Sequence, residues 1–206
     1  MKKLITILLV SFLAINTSFA QVGQGTVVLG ATTELSNSAW SQVAMKPSIG
    51  YFVSDQMAIG LGFSLGTTSQ DAEFDNGTDT WTETSSSSDM SIGPWMRFYL
   101  GEMFFVNAGV EIGSGSTTQK TTDQTNSGWT DSDGNLVSEM KDKTATLGID
   151  IGAGASIFWG DHIAFEPMFG INIGSSSVTP FDQDTQKGPN TMNAGFKIGI
   201  CVMLGN

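Results

Sequence analysis

Between residues 145 and 159 the chain alternates at a period of two without a break. Ala145, Leu147, Ile149, Ile151, Ala153, Ala155, Ile157 and Trp159 hold one phase, and Thr146, Gly148, Asp150, Gly152, Gly154 and Ser156 hold the other. Successive side chains of a strand point to opposite faces, so this segment reads as a long strand with one greasy face and one small, polar face. A helix would need apolar residues at intervals of three and four, and that spacing is absent.

The same split recurs in Met57, Ile59, Leu61, Phe63 and Leu65 against Ala58, Gly60, Gly62, Ser64 and Gly66. It returns in Phe104, Val106, Ala108, Val110 and Ile112 against Asn107, Gly109, Glu111 and Gly113, and again in Phe196, Ile198, Ile200, Val202 and Leu204. Eight strands are predicted, over 25–36, 43–53, 57–69, 90–100, 104–118, 144–159, 163–176 and 191–204. Ser54-Asp55-Gln56, Gly101-Glu102-Met103 and Gly160-Asp161-His162 read as tight turns. The stretches 70–89, 119–143 and 177–190 read as long polar loops, and 37–42 as a shorter one. This predicts an all-β fold, an eight-stranded antiparallel up-and-down transmembrane β-barrel with short periplasmic turns and long extracellular loops. A strand tilted by about 45° crosses the hydrocarbon in roughly 9–11 residues. Closure pairs every backbone donor, which lipid demands.

The amino terminus fits export. Lys2 and Lys3 precede the largely apolar run Leu4 to Ile15, and Ser18-Phe19-Ala20 places small residues at a cleavage position. Residues 1–20 therefore read as a signal peptide, leaving 21–206 as an outer-membrane barrel domain. Without the signal, seven cations face twenty acids, a net charge of −13. Nucleic acid is not expected as a partner of so acidic a chain. Cys201 is the one cysteine, so no internal disulfide forms.

A soluble lipocalin-like barrel is the rival, but it keeps its apolar side chains inside and a charged surface outside. Here the non-greasy face is mostly Gly, Ala, Ser and Thr, which suits the narrow interior of eight strands. Tyr51, Phe98, Phe104, Trp159 and Phe165 fall on the greasy phase beside the short turns, where an interfacial girdle would sit.

Seven charges fall on the polar phase of the predicted strands: Glu34, Lys46, Arg97, Glu111, Asp150, Glu166 and Lys197. Counted up from the short turns, Arg97 and Glu166 lie low and the other five lie higher. This predicts a lower Arg97–Glu166 contact across the lumen and an upper cluster joining Lys197, Glu34 and Lys46. Glu111 and Asp150 stand at similar height on neighbouring strands, so one needs a proton unless a cation reaches it. Two readings remain open: a structural network that neutralises itself in a narrow core, or a path for ions. The small lumen of eight strands favours the first.

The segments GYFVSDQMAIGLGFSLG (50–66), PWMRFYLGEMFFVNAGVEIG (94–113), IDIGAGASIFWGDHIAFEPMFGINIG (149–174) and AGFKIGICVMLG (194–205) resemble the outer-membrane β-barrel domain proteins common in Bacteroidetes. The resemblance spans nearly all of the chain after residue 20. It implies a porin-like eight-stranded barrel similar to the small proteins of the OmpX and OmpA type, and it brings no shared catalytic residue.

Some outer-membrane barrels are lipid-modifying enzymes in which histidine activates a serine. The single histidine, His162, falls in a tight turn, so neither a catalytic residue nor a cofactor is expected and the chain does not read as an enzyme. Most of the acid lies in the outer loops. There Asp131, Asp133, Asn135 and Asp142 match the first, third, fifth and twelfth places of a calcium loop, but Leu136 stands where the sharp turn needs glycine, and no metal site is assigned. Trp81 and Trp129 are candidate contacts for a surface partner. The function expected is a structural or surface-interaction role through acidic extracellular loops, with a narrow passive porin-like channel for small solutes or ions as the alternative. The partners expected are outer-membrane lipid, lipopolysaccharide and an extracellular surface molecule, engaged by a monomer.

Overall fold

The computed structural model describes residues 23–35 and 46–205. The expected signal peptide at 1–20 and the loop at 37–42 lie outside the described residues. The strands are β1 (Val27–Leu35), β2 (Lys46–Ser54), β3 (Met57–Asp75), β4 (Thr80–Leu100), β5 (Phe104–Thr121), β6 (Glu139–Ala155), β7 (Ile157–Trp159), β8 (Ile163–Thr179) and β9 (Gln186–Leu204), with one helical turn, α1 (Gln124–Ser127). Neighbours pair antiparallel, and β9 returns to pair with β1, so the sheet closes on itself. β6 and β7 keep one register against β8 and together form one barrel strand, which makes the barrel eight-stranded. Their interruption at Ser156 lies beside the register position of Pro167, a residue with no backbone N–H to give a neighbour.

The period-two pattern turns into an inside and an outside. Ile59 and Ile149 are 46% and 49% exposed, while Phe52 and Phe105, on the opposite phase, are 1% exposed. Exposed apolar side chains ring the barrel from Tyr51, Phe104 and Trp159 at the short-turn end to Leu65, Ile112 and Leu147. A contiguous apolar surface of this extent is stable only against another apolar phase.

Two features depart from the sequence-based expectation. The expected loops 70–89 and 177–190 are in large part strand, 119–143 is strand at both of its ends, and the connections shrink to 76–79, 122–138 and 180–185. β3 runs for 19 residues, about 60 Å at ~3.3 Å per residue, far beyond what crossing a bilayer requires. Hydroxyl pairs across the strands hold these extensions: Ser69 with Ser86 at 3.0 Å, Ser87 with Thr117 at 3.1 Å and Ser88 with Ser116 at 3.3 Å. Thr and Ser pairs of this kind stabilise sheets without any greasy face.

The interior is also not small and polar throughout. At the short-turn end Val28, Phe52, Tyr99, Phe105, Met168, Cys201 and Met203 pack into a buried apolar core. The Tyr99 ring lies 5.4 Å from Phe52 and 5.8 Å from Phe105, in tilted contacts. Above it Trp95 lies over Gly50 and Gly60. A Cβ on Gly50 would come within 2.6 Å of the indole, so glycine is required there by close approach. At the turns Gly101 and Gly160 take φ of +77° and +70°, the left-handed region that a tight hairpin needs.

Candidate functional site

The lumen and the outer loops are the two places where polar chemistry concentrates. In the lower lumen, alternation on β4 points Trp95, Arg97 and Tyr99 inward, and alternation on β8 points Glu166 inward from the far wall. Arg97 Nη1 donates to Glu166 Oε1 at 2.6 Å and to Tyr99 Oη at 3.3 Å. Ser156 Oγ, at the strand interruption, donates to the same Glu166 oxygen at 2.8 Å. The guanidinium lies 4.0 Å from the Phe105 ring centroid and 5.5 Å from that of Trp95, so aromatic faces close over the charge. The Arg97 and Glu166 side chains are 9% and 4% exposed. Buried ions are tolerated only when paired and hydrogen-bonded, and this pair has both.

The upper lumen holds two more pairs. Lys46 of β2 donates to both carboxylate oxygens of Glu111 on β5, at 3.1 and 2.8 Å, and Ser91 Oγ donates to Glu111 at 2.7 Å. Lys197 of β9 pairs with Asp150 of β6. Each of the neighbouring acids Glu111 and Asp150 thus meets its own lysine. Glu34 is the register partner of Lys197, and its side chain lies outside the described residues. Lys46 reaches across the tube to β5, a contact that counting steps along single strands does not reveal, because closure staggers the strands. Between the pairs remains a cavity of about 130 Å³ whose wall includes Lys46, Trp95, Asn107, Glu111, Asp150 and Lys197.

The outer loops are tied to one another. Asp123 caps α1 by accepting from the backbone N–H groups of Thr125 and Asn126, and Asn126 in turn accepts from Asn76 at 3.0 Å, joining 122–138 to the tip of β3 and β4. Asp182 accepts from the backbone N–H of Ser132 at 3.0 Å and from its hydroxyl, joining 122–138 to 180–185. Asp131 accepts from the backbone N–H of Asp133 and Asn135 and from the Asn135 side chain. Asp142, the twelfth place of the calcium pattern, belongs to β6 and accepts from the backbone N–H of Phe181 at 2.7 Å. Asp131 and Asp142 are thus drawn to different partners. Trp81 stacks on Phe74 at 5.5 Å near the tip of the β3–β4 ribbon, and Trp129 sits half-buried in the following connection. Neither position was separable from an interfacial anchor in the sequence, because the ribbon that lifts Trp81 carries no apolar alternation. His162 is exposed in the turn between β7 and β8.

No family model matches the sequence, and no curated protein does. Among solved structures the chain is similar to the N-terminal β-barrel domain of Pseudomonas aeruginosa OprF, with a TM-score of 0.41 and 12% identity over 88% of this chain and 99% of that one. It is similar to Ail, the attachment invasion locus protein of Yersinia pestis, at a TM-score of 0.43 and 10% identity over 88% and 99%. It is similar to Acinetobacter baumannii CarO2 at a TM-score of 0.42 and 9% identity over 88% and 99%. The barrel assignment rests on the strand register itself.

Proposed function

We propose that this chain is an exported outer-membrane barrel with a closed lumen, anchored by its apolar belt and acting through the linked loops at its outer end. The reading supposes that residues 1–20 direct export and are removed. The sequence resemblance to Bacteroidetes barrels of the OmpX and OmpA type accords with it. One observation carries the closed-lumen reading: an aromatic and aliphatic core surrounds the Arg97–Glu166 pair at the short-turn end. With the upper pairs, it supports reading Lys46, Arg97, Glu111, Asp150, Glu166 and Lys197 as a structural network. The role left to the molecule is structural or surface-interacting, through Trp81, Trp129 and the acidic loops.

Planar-bilayer conductance of the purified protein tests this. The expected result is a quiet bilayer. Discrete, ion-selective openings would overturn the closed lumen and establish the passive channel, for which the charged 130 Å³ cavity is the supporting observation.

A further inference from the structure

Residues 21–206 carry seven cations, and three of them, Lys46, Arg97 and Lys197, are spent on pairs inside the lumen. The other four, Lys120, Lys141, Lys143 and Lys187, lie on the part of the barrel above the apolar belt, on β5, β6 and β9. Lys141 and Lys143 continue the outward phase of β6 directly above Ala145 and Leu147, so they project on the same side as the belt. The register sets rows across four or five strands. Leu65, Met90, Ser114, Ala145 and Ser177 form one row. The next row up holds Ser88, Ser116, Lys143 and Thr179, and the one above it Thr118 beside Lys141.

Small side chains in these rows leave a groove of about 580 Å³ on the outer surface. Its lower edge is apolar, at Leu65, Met90 and Ala145, and its upper edge carries Ser116, Lys141 and Lys143; Asp89 also lines it, with its carboxylate turned to the inward phase beside Gly66. Leu65 is 84% exposed, the largest apolar exposure at this height. Lys120 is paired with Glu139 at 3.2 Å. Among the described residues, Lys141 and Lys143 have no carboxylate at ion-pair distance. On residues 21–206, of net charge −13, with Asp71, Glu73 and Asp75 on the outward face of β3, these two neighbouring ammonium groups are an anomaly.

We infer that this groove seats the phosphate-bearing headgroup of an outer-leaflet glycolipid, with its acyl chains lying down the belt over Leu65, Met90 and Ala145. Ammonium and hydroxyl donors side by side suit phosphate oxygens, which accept charge-assisted hydrogen bonds. The two lysines stand about 7 Å apart along the strand, two residues at ~3.4 Å each. A groove that is apolar below and cationic above, on the wall of a barrel, matches an amphipathic anion and not a free one. The inference rests on the membrane reading above.

The test uses the full barrel inserted into nanodiscs of phosphatidylcholine with a minor fraction of diphosphoryl lipid A, followed by native mass spectrometry to count retained lipid A. Wild type should keep lipid A in preference to phosphatidylcholine. K141Q/K143Q should lose it about thirtyfold, as two surface cations near an anionic headgroup imply. K187Q, which removes a cation outside the groove, should behave as wild type, and a heat-modifiable gel shift shows that each variant is folded. Equal retention by K141Q/K143Q and wild type would overturn the inference. So would full displacement of lipid A by inorganic phosphate, which would make the site one for a free anion. Failure of every variant to enter the nanodiscs would instead remove the membrane reading, and this inference with it.

Discussion

Arg97 shows at a single side chain what a narrow barrel demands. Its charge is met by Glu166, its edge by Tyr99 and its faces by Phe105 and Trp95. Arg97→Ala leaves the Glu166 carboxylate buried and uncompensated, and should cost about 3–5 kcal/mol. Urea unfolding in lipid vesicles, followed by tryptophan fluorescence, measures it. Replacing both partners, as Arg97→Met with Glu166→Leu, should recover most of that loss, because the pair repays little beyond its own desolvation. Gly50→Ala pushes a methyl group into the Trp95 indole and should cost about 1–3 kcal/mol by overpacking. Adding Trp95→Phe to that variant should restore stability in the same assay. For Lys46, Arg97, Glu111, Asp150, Glu166 and Lys197 the inward phase was readable in the sequence, since phase is set by parity along the strand. Which lysine meets which acid was not readable, because the partners of Lys46 and Lys197 depend on the stagger of strands on opposite walls.

At the scale of the element, the long ribbons show where alternation stops informing. Met57 to Leu65 reads as strand because greasy and small residues alternate, whereas Gln70 to Asp89 is mostly Ser, Thr and acid on both faces, with Phe74 and Trp81 as its large apolar residues. Its strand character comes from cross-strand partners such as Ser69 and Ser86, which no single segment reveals. Excision of 122–138 with a short glycine linker should therefore leave β5 and β6 paired and the heat-modifiable shift intact, since the pairs from Thr118–Lys141 down to Phe104–Ala155 lie clear of the cut. Loss of the shift would mean that this connection helps to fold the barrel.

The loop carboxylates carry a pH prediction. Asn135 holds the Asp131 carboxyl below the usual aspartate value of 3.8, mainly through its side-chain amide and then its backbone N–H. The Ser132 hydroxyl and N–H do the same for Asp182. A lowered value means that the loop order these acids provide is fully present above 3.8 and is lost as the pH falls through the depressed value. Amide hydrogen exchange at Asn135 and Ser132 should thus stay protected at pH 5 and open only below the ordinary carboxylate range, roughly pH 4. Opening between pH 5 and 6 would rule out these bonds as the cause.

The molecule as a whole is a tube whose ends differ: one plugged with rings and thioethers, the other drawn out into hydroxyl-rich ribbons tied by aspartate and asparagine. The plug escaped the sequence reading because Phe52 and Phe105 sit among glycines and asparagine on the inward phase, where two large residues look like exceptions and not like a floor. Phe52→Ala together with Phe105→Ala should remove that floor and turn a silent bilayer into one with current steps. Silence in the double variant would place the seal higher, at the lysine pairs.

Cys201 lies within the plug at 2% exposure, and it is the only thiol in the sequence. It therefore serves as an internal clock. At that burial the sulfur is shielded from a maleimide added from water, so the rate of alkylation reports how often the bottom of the tube breathes open, without any label being engineered.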